Sequence, residues 1–486
     1  MKKKRFCKQT FVKMRKSILQ RALLFFVLIN IAQFVIFVFV YSGTFYTRNY
    51  SSGIGKKFDR LLRRYQTLLR ERDIYRNLRE DIISESKLLT HSLAVRIQSA
   101  NEDVWNYVKA NKLFNSAFFY DWYKLTNVYA RKIALTTKAV RAKKMNILKE
   151  LIWSKLDSLK NPELFDKSKC PKYNKLLLCE VTKGCGATCR IHHMLYCTIA
   201  ALALNRTLIS SDRKESIYKN IALDNNDCDI STLSNSVWQK SFSLDPKKEQ
   251  SYDLIKISII DYFNDKNAFF IPMNIPTQLK DELKNLSEKP FILFISIILQ
   301  YQFKLPEKLT IIHQQNIGLS VDKHYVGVHV RRTDKNSEAK YHNLSEYMTL
   351  VEEYYDQLEY FRLISGETDK KIERKVYLAT DEIRVWKDEV PKYREKGYNF
   401  YGDLSIVQDA IPKNRETNSS LMGIYLDVYM LSMANHIVCT FTSHVCRLSY
   451  ELMQTNDKFQ GMDKTIFAQS LDSPYYYGGQ VSLNFN

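Results

Sequence analysis

From about residue 321 the chain alternates short strand-like runs with longer helical ones, and that alternation leaves few folds open. Strands are predicted at 325–331, 375–380 and 436–441, and helices at 343–363, 418–434 and 445–454. A β-α-β-α order makes a parallel sheet, because only a crossover returns the chain to start a parallel neighbour. Ligands of such sheets lie at the carboxyl ends of the strands. The expected fold class is α/β, with a doubly wound, Rossmann-like lobe over 321–486.

Four segments precede that lobe. Residues 1–21 carry nine Lys and Arg and no acid. Residues 22–41 are apolar except for Asn30 and Gln33. About 20 helical residues cross a bilayer core, and the basic flank keeps residues 1–21 in the cytosol. The expectation is a single-pass type II signal anchor with a luminal remainder; cleavage near Ser42-Gly43-Thr44 is the alternative. Residues 42–165 form a spacer and a helical stem without proline from 56 to 160. Leu61, Leu68, Tyr75, Ile82 and Leu89 recur every seven residues, a partial heptad that suits a homodimeric stem. A monomeric helical hairpin is the alternative. Asn161-Pro162 ends the helix. Residues 166–320 are a cysteine-rich first lobe. Its run 291–299 is too short to span a membrane and reads as a buried helix.

The net charge of +21 invites a nucleic-acid reading. Its distribution argues against one. The charges concentrate in 1–21 and the stem, with no basic run interleaved with aromatics. Eight cysteines come after the apolar run, and an even number suits disulfides in an oxidising compartment. Sequons at Asn49, Asn205, Asn285, Asn343 and Asn418 agree mildly. Cys185, Cys189, His192 and His193 have the spacing of zinc ligands, but thiolate zinc fits an oxidising lumen poorly. Asp227-Cys228-Asp229 resembles a metal-binding Asp-x-Asp, but no apolar strand precedes it and it reads as a loop.

The chemistry concentrates in the run 325–335. Val326, Val328 and Val330 share one strand face; Gly327, His329 and Arg331 share the other. Arg331, Arg332, Asp334 and Lys335 then crowd the strand's carboxyl end, where the cations suit a diphosphate. Glu338 stands where a glycosyl transfer needs a base, with an exposed loop acid as the bland alternative. Asp381 and Glu382 end the second strand. Ser443 comes after the third and opens a helix, whose N-terminus suits an anion; plain capping is the alternative. Asp427 lies inside a helix, either a surface acid or a partner for guanine N–H donors.

Several stretches together carry a resemblance. VGVHVRRTDKNSEAKYH, VYLATDE, LDVYMLSMANHIVCTFTSHVCRLSYELMQT, SPYYYGGQ and the upstream KGCGATCRIHHMLYC resemble the α-1,6-fucosyltransferases that core-fucosylate N-glycans, glycosyltransferase family 23. The resemblance is dense over 160–480. It implies a GT-B-like pair of α/β lobes, inverting transfer from GDP-fucose to the innermost N-acetylglucosamine, no metal or other cofactor, and a Golgi membrane location. It implies that His329, Arg331, Arg332, Asp381, Asp427 and Ser443 hold the donor. It makes Glu338 the catalytic base with Lys335 as its partner, and Arg331, on the β-phosphate, a further catalytic residue. It also implies disulfides Cys170–Cys228, Cys179–Cys197, Cys185–Cys189 and Cys439–Cys446. Two positions depart from the family's pattern: Glu382 replaces an Asp and His444 replaces a Gln. The family continues into a Src-homology-3 domain, whereas this chain stops at Asn486, so a chain without that domain is expected. Two rival functions remain: a non-catalytic Golgi binding or scaffold protein derived from the enzyme, and a fucosyltransferase with another acceptor.

Overall fold

Among the described residues every strand pairing is parallel, in two separate sheets. The computed structural model describes residues 117–160, 175–180, 186–210, 236–239, 252–258, 275–287, 289–337, 339–364, 372–410, 412–414, 417–456 and 467–475. All belong to one unit, Ser84–Asn486. The apolar run 22–41, the heptad positions 61–89, the Asp227–Asp229 stretch, Cys170, Cys185 and Glu338 lie outside the described residues. No helix among the described residues is long and apolar enough to cross a membrane.

The first sheet contains β1 (Leu176–Glu180), β2 (Thr207–Ser210), β3 (Ser236–Gln239) and β4 (Leu254–Ser258) in the order β2-β1-β4-β3. The second contains β5 (Val326–Val330), β6 (Arg374–Thr380), β7 (Tyr398–Tyr401), β8 (His436–Cys439) and β9 (Ala468–Ser470) in the order β7-β6-β5-β8-β9. β5 is buried along its whole length, as a central strand covered on both faces must be. From β5 the chain builds outward through β6 and β7, then returns to β5's other side with β8. The direction of winding therefore reverses between β5 and β8, which is where such sheets open a ligand crevice.

Helices enclose both sheets. α1 (Ala117–Lys160) ends one residue before Asn161-Pro162, as the proline requires. α2 (Ala187–Leu204) carries the His192-His193 pair and is buried along most of its length. α3 (Lys280–Leu286) precedes α4 (Pro290–Gln302), which contains the apolar run 291–299 and buries all of it. At about 1.5 Å per residue α4 is a core helix, too short for a bilayer. α5 (Glu307–Ile317) leads to β5, and α6 (Leu344–Ile364) connects β5 to β6. A π-helical turn, Val385–Glu389, runs into α7 (Val390–Arg394) after β6. α8 (Leu404–Asp409), α9 (Asn418–Ser432) and α10 (His444–Met453) complete the second lobe.

One apolar core joins the lobes. Leu148, Ile152 and Leu156 of α1, Leu195 of α2 and Ile295 of α4 cluster with Tyr425 and Val428 of α9 and Leu448 of α10. α1 adds hydrogen bonds: Arg141 donates to the Leu286 carbonyl (2.8 Å), Trp153 to the Ile297 carbonyl (3.0 Å) and Lys149 to the Thr455 carbonyl (3.0 Å). Disulfides Cys179–Cys197 and Cys439–Cys446 are formed, tying β1 to α2 and β8 to α10. Cys189 is also disulfide-bonded, which withdraws its thiolate from the zinc-ligand reading.

Gly402, directly after β7, marks a close approach. A Cβ there would lie 2.6 Å from the Leu378 carbonyl oxygen of β6 and 2.5 Å from the Trp386 ring. The indole can shift, but the central-sheet carbonyl cannot. Gly402→Ala is expected to destabilise the fold by about 2 kcal/mol, the scale of an overpacked site, read as a lowered denaturant midpoint.

Candidate active site

The carboxyl ends of β5 and β6 are joined by one carboxylate. Asp381, directly after β6 and buried, accepts the backbone N–H of Arg332 (2.8 Å) and hydrogen bonds from Arg331 Nη1 and Thr333 Oγ1. Arg331 also donates to Thr333 Oγ1 (2.7 Å) and pairs with Asp334. The Arg331 side chain is partly buried, so its guanidinium is aimed before any ligand arrives.

Arg332 turns the other way. Its side chain is 2% exposed and its donors are committed to protein. It forks onto Glu389 of the π-helical turn, donates Nε–H to the His342 carbonyl (3.0 Å) and reaches Glu382 (3.3 Å). The Tyr341 ring lies 4.6 Å from its guanidinium carbon. The donor contact expected of Arg332 therefore meets a side chain that anchors the loop from within. Glu382, which departs from the family's pattern, reaches this pair with its longer side chain.

His329 lies inside the second lobe, and its Nδ1 has no hydrogen-bond partner among the described residues. Burial, aided by Arg331, pushes its imidazole down to about 3, so it is neutral. Asp427 on α9 accepts the Tyr377 hydroxyl (2.6 Å). Burial pushes its carboxyl up to about 7; the Tyr377 hydroxyl opposes that rise and Asp403 adds to it. Asp427 is thus neither a solvated surface acid nor a firmly ionised one.

On the other side of β5, β8 ends and α10 begins. Ser443 holds the N-cap position with extended backbone, yet its side chain makes no capping hydrogen bond, contrary to the plain-capping alternative. Its hydroxyl is left for another partner. Thr442 is held instead by Asp472, whose carboxylate also accepts the Phe441 N–H (2.9 Å). Lys335 is buried in the short turn Asp334–Ser337. Its charge acts on His444, as does that of Arg447. Arg331 and Lys335 thus follow β5, and Ser443 and the α10 N-terminus follow the adjoining β8, so all stand beyond the carboxyl ends of paired strands. A cavity of about 290 Å³ at the β7 edge, lined by Trp386, Lys387, Arg394 and Tyr401 among others, contains none of the residues named from sequence.

A family model described as alpha-(1,6)-fucosyltransferase N- and catalytic domains matches residues 20–476. The chain belongs to this family. An alpha-(1,6)-fucosyltransferase of Drosophila melanogaster is 35% identical over 358 residues, covering 71% of this chain and 53% of that protein. One of Caenorhabditis elegans is 31% identical over 358 residues, covering 70% and 58%. The chain thus spans little more than half the length of these alpha-(1,6)-fucosyltransferases. A solved structure of an Arabidopsis thaliana FUT1 mutant in complex with GDP covers 66% of this chain and 77% of its own at 13% identity, with a TM-score of 0.37.

Sequence reading misses the residues that hold the site. Glu389 supports Arg332 from 57 positions away, and Tyr377 supports Asp427 from 50. Tyr377 lies within a strand predicted from sequence, and its inward face is the available signal. Glu389→Ala strands a buried guanidinium and is expected to destabilise by about 3 kcal/mol, read by chemical denaturation. Asp427 keeps its proton in the folded state between 3.8 and about 7, where the unfolded chain has lost it. Its share of stability is therefore greatest below 3.8 and falls as pH rises towards 7. Thermal melts of Asp427→Asn are expected to lack that decline.

Proposed function

We propose that the chain transfers L-fucose from GDP-fucose, with inversion, in α-1,6 linkage to the innermost N-acetylglucosamine of N-linked glycans. The reading is supported by family membership and by one arrangement above all. Arg331 and Lys335 stand at the carboxyl end of β5, and Ser443 across the crevice keeps its hydroxyl out of helix capping. A GT-B-like division of labour results. The second lobe takes the nucleotide, and the first contributes to the acceptor side.

As the bond from the anomeric carbon to the β-phosphate oxygen breaks, negative charge gathers on the diphosphate. Arg331, Lys335, the Ser443 hydroxyl and the α10 N-terminus meet that charge without reorganisation. The protein's own cations thereby supply the neutralisation that a metal provides elsewhere, and no cofactor is invoked. Asp381 keeps Arg331 aimed. The acceptor's 6-hydroxyl attacks the opposite face of the fucose, and Glu338 takes its proton. Asp427 accepts guanine N–H groups, with neutral His329 beside the nucleotide. Arg332 acts from behind, holding the loop through Glu389. The disulfides and the 22–41 run support a type II protein of the Golgi membrane, its catalytic region luminal. The stem pairs two copies.

The full chain, incubated with GDP-fucose and a biantennary N-glycan ending in exposed N-acetylglucosamine, is expected to add one fucose to the innermost sugar, read by mass spectrometry. Arg331→Ala should lower turnover by about 10³-fold while the protein stays folded. Near-normal turnover in that variant would overturn the mechanism, and GDP binding without transfer would favour a non-catalytic protein. Because a guanine contact requires the Asp427 carboxylate, GDP affinity should rise with pH through about 7.

A further inference from the structure

The residue beside Ser443 is His444, and its ring is held from the first lobe. His444 Nδ1 lies 3.1 Å from Nδ1 of His192 on α2, with ring centroids 5.0 Å apart. Two nitrogens at that distance need one hydrogen between them, and the surroundings decide which carries it. His192 Nδ1 also lies 2.9 Å from the Thr188 carbonyl, which can only accept. The hydrogen is therefore on His192, shared between that carbonyl and His444. The far nitrogen of His192 donates to Glu451, whose two oxygens lie at 2.9 and 3.1 Å, so this ring carries a hydrogen on each nitrogen. Glu451 is fully buried and receives the Tyr475 hydroxyl as well (2.6 Å). This chain of contacts leaves the His192 ring no freedom to flip.

With Nδ1 of His444 used as an acceptor, the hydrogen of its neutral ring sits on Nε2. Neutrality is supported independently. Burial lowers the His444 pKa well below the ordinary histidine value, and the charges of Arg447, His192, His193 and Lys335 add to that lowering. Nε2 makes no hydrogen bond among the described residues, and it is not one of their fully buried, unpartnered polar atoms.

We infer that His444 is a further donor-binding residue, giving its Nε2–H to the diphosphate beside Ser443, and that His192 is the positioning residue that selects this tautomer. The inference rests on the GDP-fucose reading of the crevice. It also gives the departure at 444 a physical content. An amide carries its N–H permanently, whereas an imidazole does so at a chosen nitrogen only if a neighbour occupies the other.

GDP affinity of the full chain, measured by calorimetry, separates the possibilities. His192→Gln keeps a donor towards Glu451 but removes the Nδ1–H. It is expected to weaken GDP by about ten-fold, the weight of one hydrogen bond to a charged group. His192→Asn keeps a donor near Nδ1 and should restore most of that loss. In a His444→Gln background neither change should alter affinity by more than about two-fold. Equal losses in both backgrounds, or a greater loss with Asn than with Gln, would mean that His192 only supports the fold, and would overturn the inference. If His192→Gln does not fold, the ¹³Cδ2 resonance of His444, assigned by its disappearance in His444→Gln, reports the tautomer directly. The Nδ1–H form would refute the assignment. Absence of GDP binding by the unaltered chain would refute the donor site and this inference together, whereas binding with additive losses refutes this inference alone.

Discussion

The Asp381 carboxylate is the interaction on which the crevice depends. Beyond β5 the backbone leaves the sheet, and the N–H of Arg332 needs an acceptor in a buried place. Asp381 supplies it from the adjoining strand end. The same carboxylate draws in Arg331 and Thr333. One acid thus satisfies the turn, fixes the spacing of two strand ends and sends consecutive arginines in opposite directions. Arg331 stays partly exposed among Asp381, Thr333 and Asp334, and Arg332 turns to the interior. Both would lose their aim if the β5–β6 register slipped, since Val330 pairs with Thr380 immediately before them.

The inward arginine shows how a functional loop is stabilised from behind. A guanidinium exposed by only 2% is tolerable because Glu389 offers two oxygens and the His342 carbonyl another. Glu389 sits where the chain after β6 takes a π-helical turn, a local irregularity that recurs near functional sites.

The lobes are not independent bodies joined by a thread. α1 and α4 share a core with α9 and α10, and buried His192 of the first lobe meets buried Glu451 of the second. A polar pair inside an apolar core adds little stability, because desolvation offsets most of the attraction. It does impose one geometry on the groups it holds. Here that geometry ends at His444, beside Ser443 at the end of β8.

Local regularities wrote much of this into the sequence. The alternation of strand and helix, the valine face of β5, the buried apolar run of α4 and the proline after α1 each depend on neighbours within a few positions, and each stands as expected. The concentration of Arg331, Lys335 and Ser443 at strand ends was legible for the same reason, since a parallel sheet brings the residues just beyond each of its strands to one edge. Which side chain faces a ligand was not legible. Arg331 and Arg332 are chemically identical neighbours, separated only by partners 50 and 57 positions away. By sequence Ser443 is an ordinary cap, and only the folded geometry leaves its hydroxyl unused. His192 and Glu451 stand 259 positions apart and have no common motif. Short-range periodicity is a property of the chain, so the sequence alone determined the α/β class and the strand ends at which Arg331, Lys335 and Ser443 stand. The aim, protonation and tautomer of each group depend on burial and on acceptors from distant segments, and these exist only once the lobes have packed.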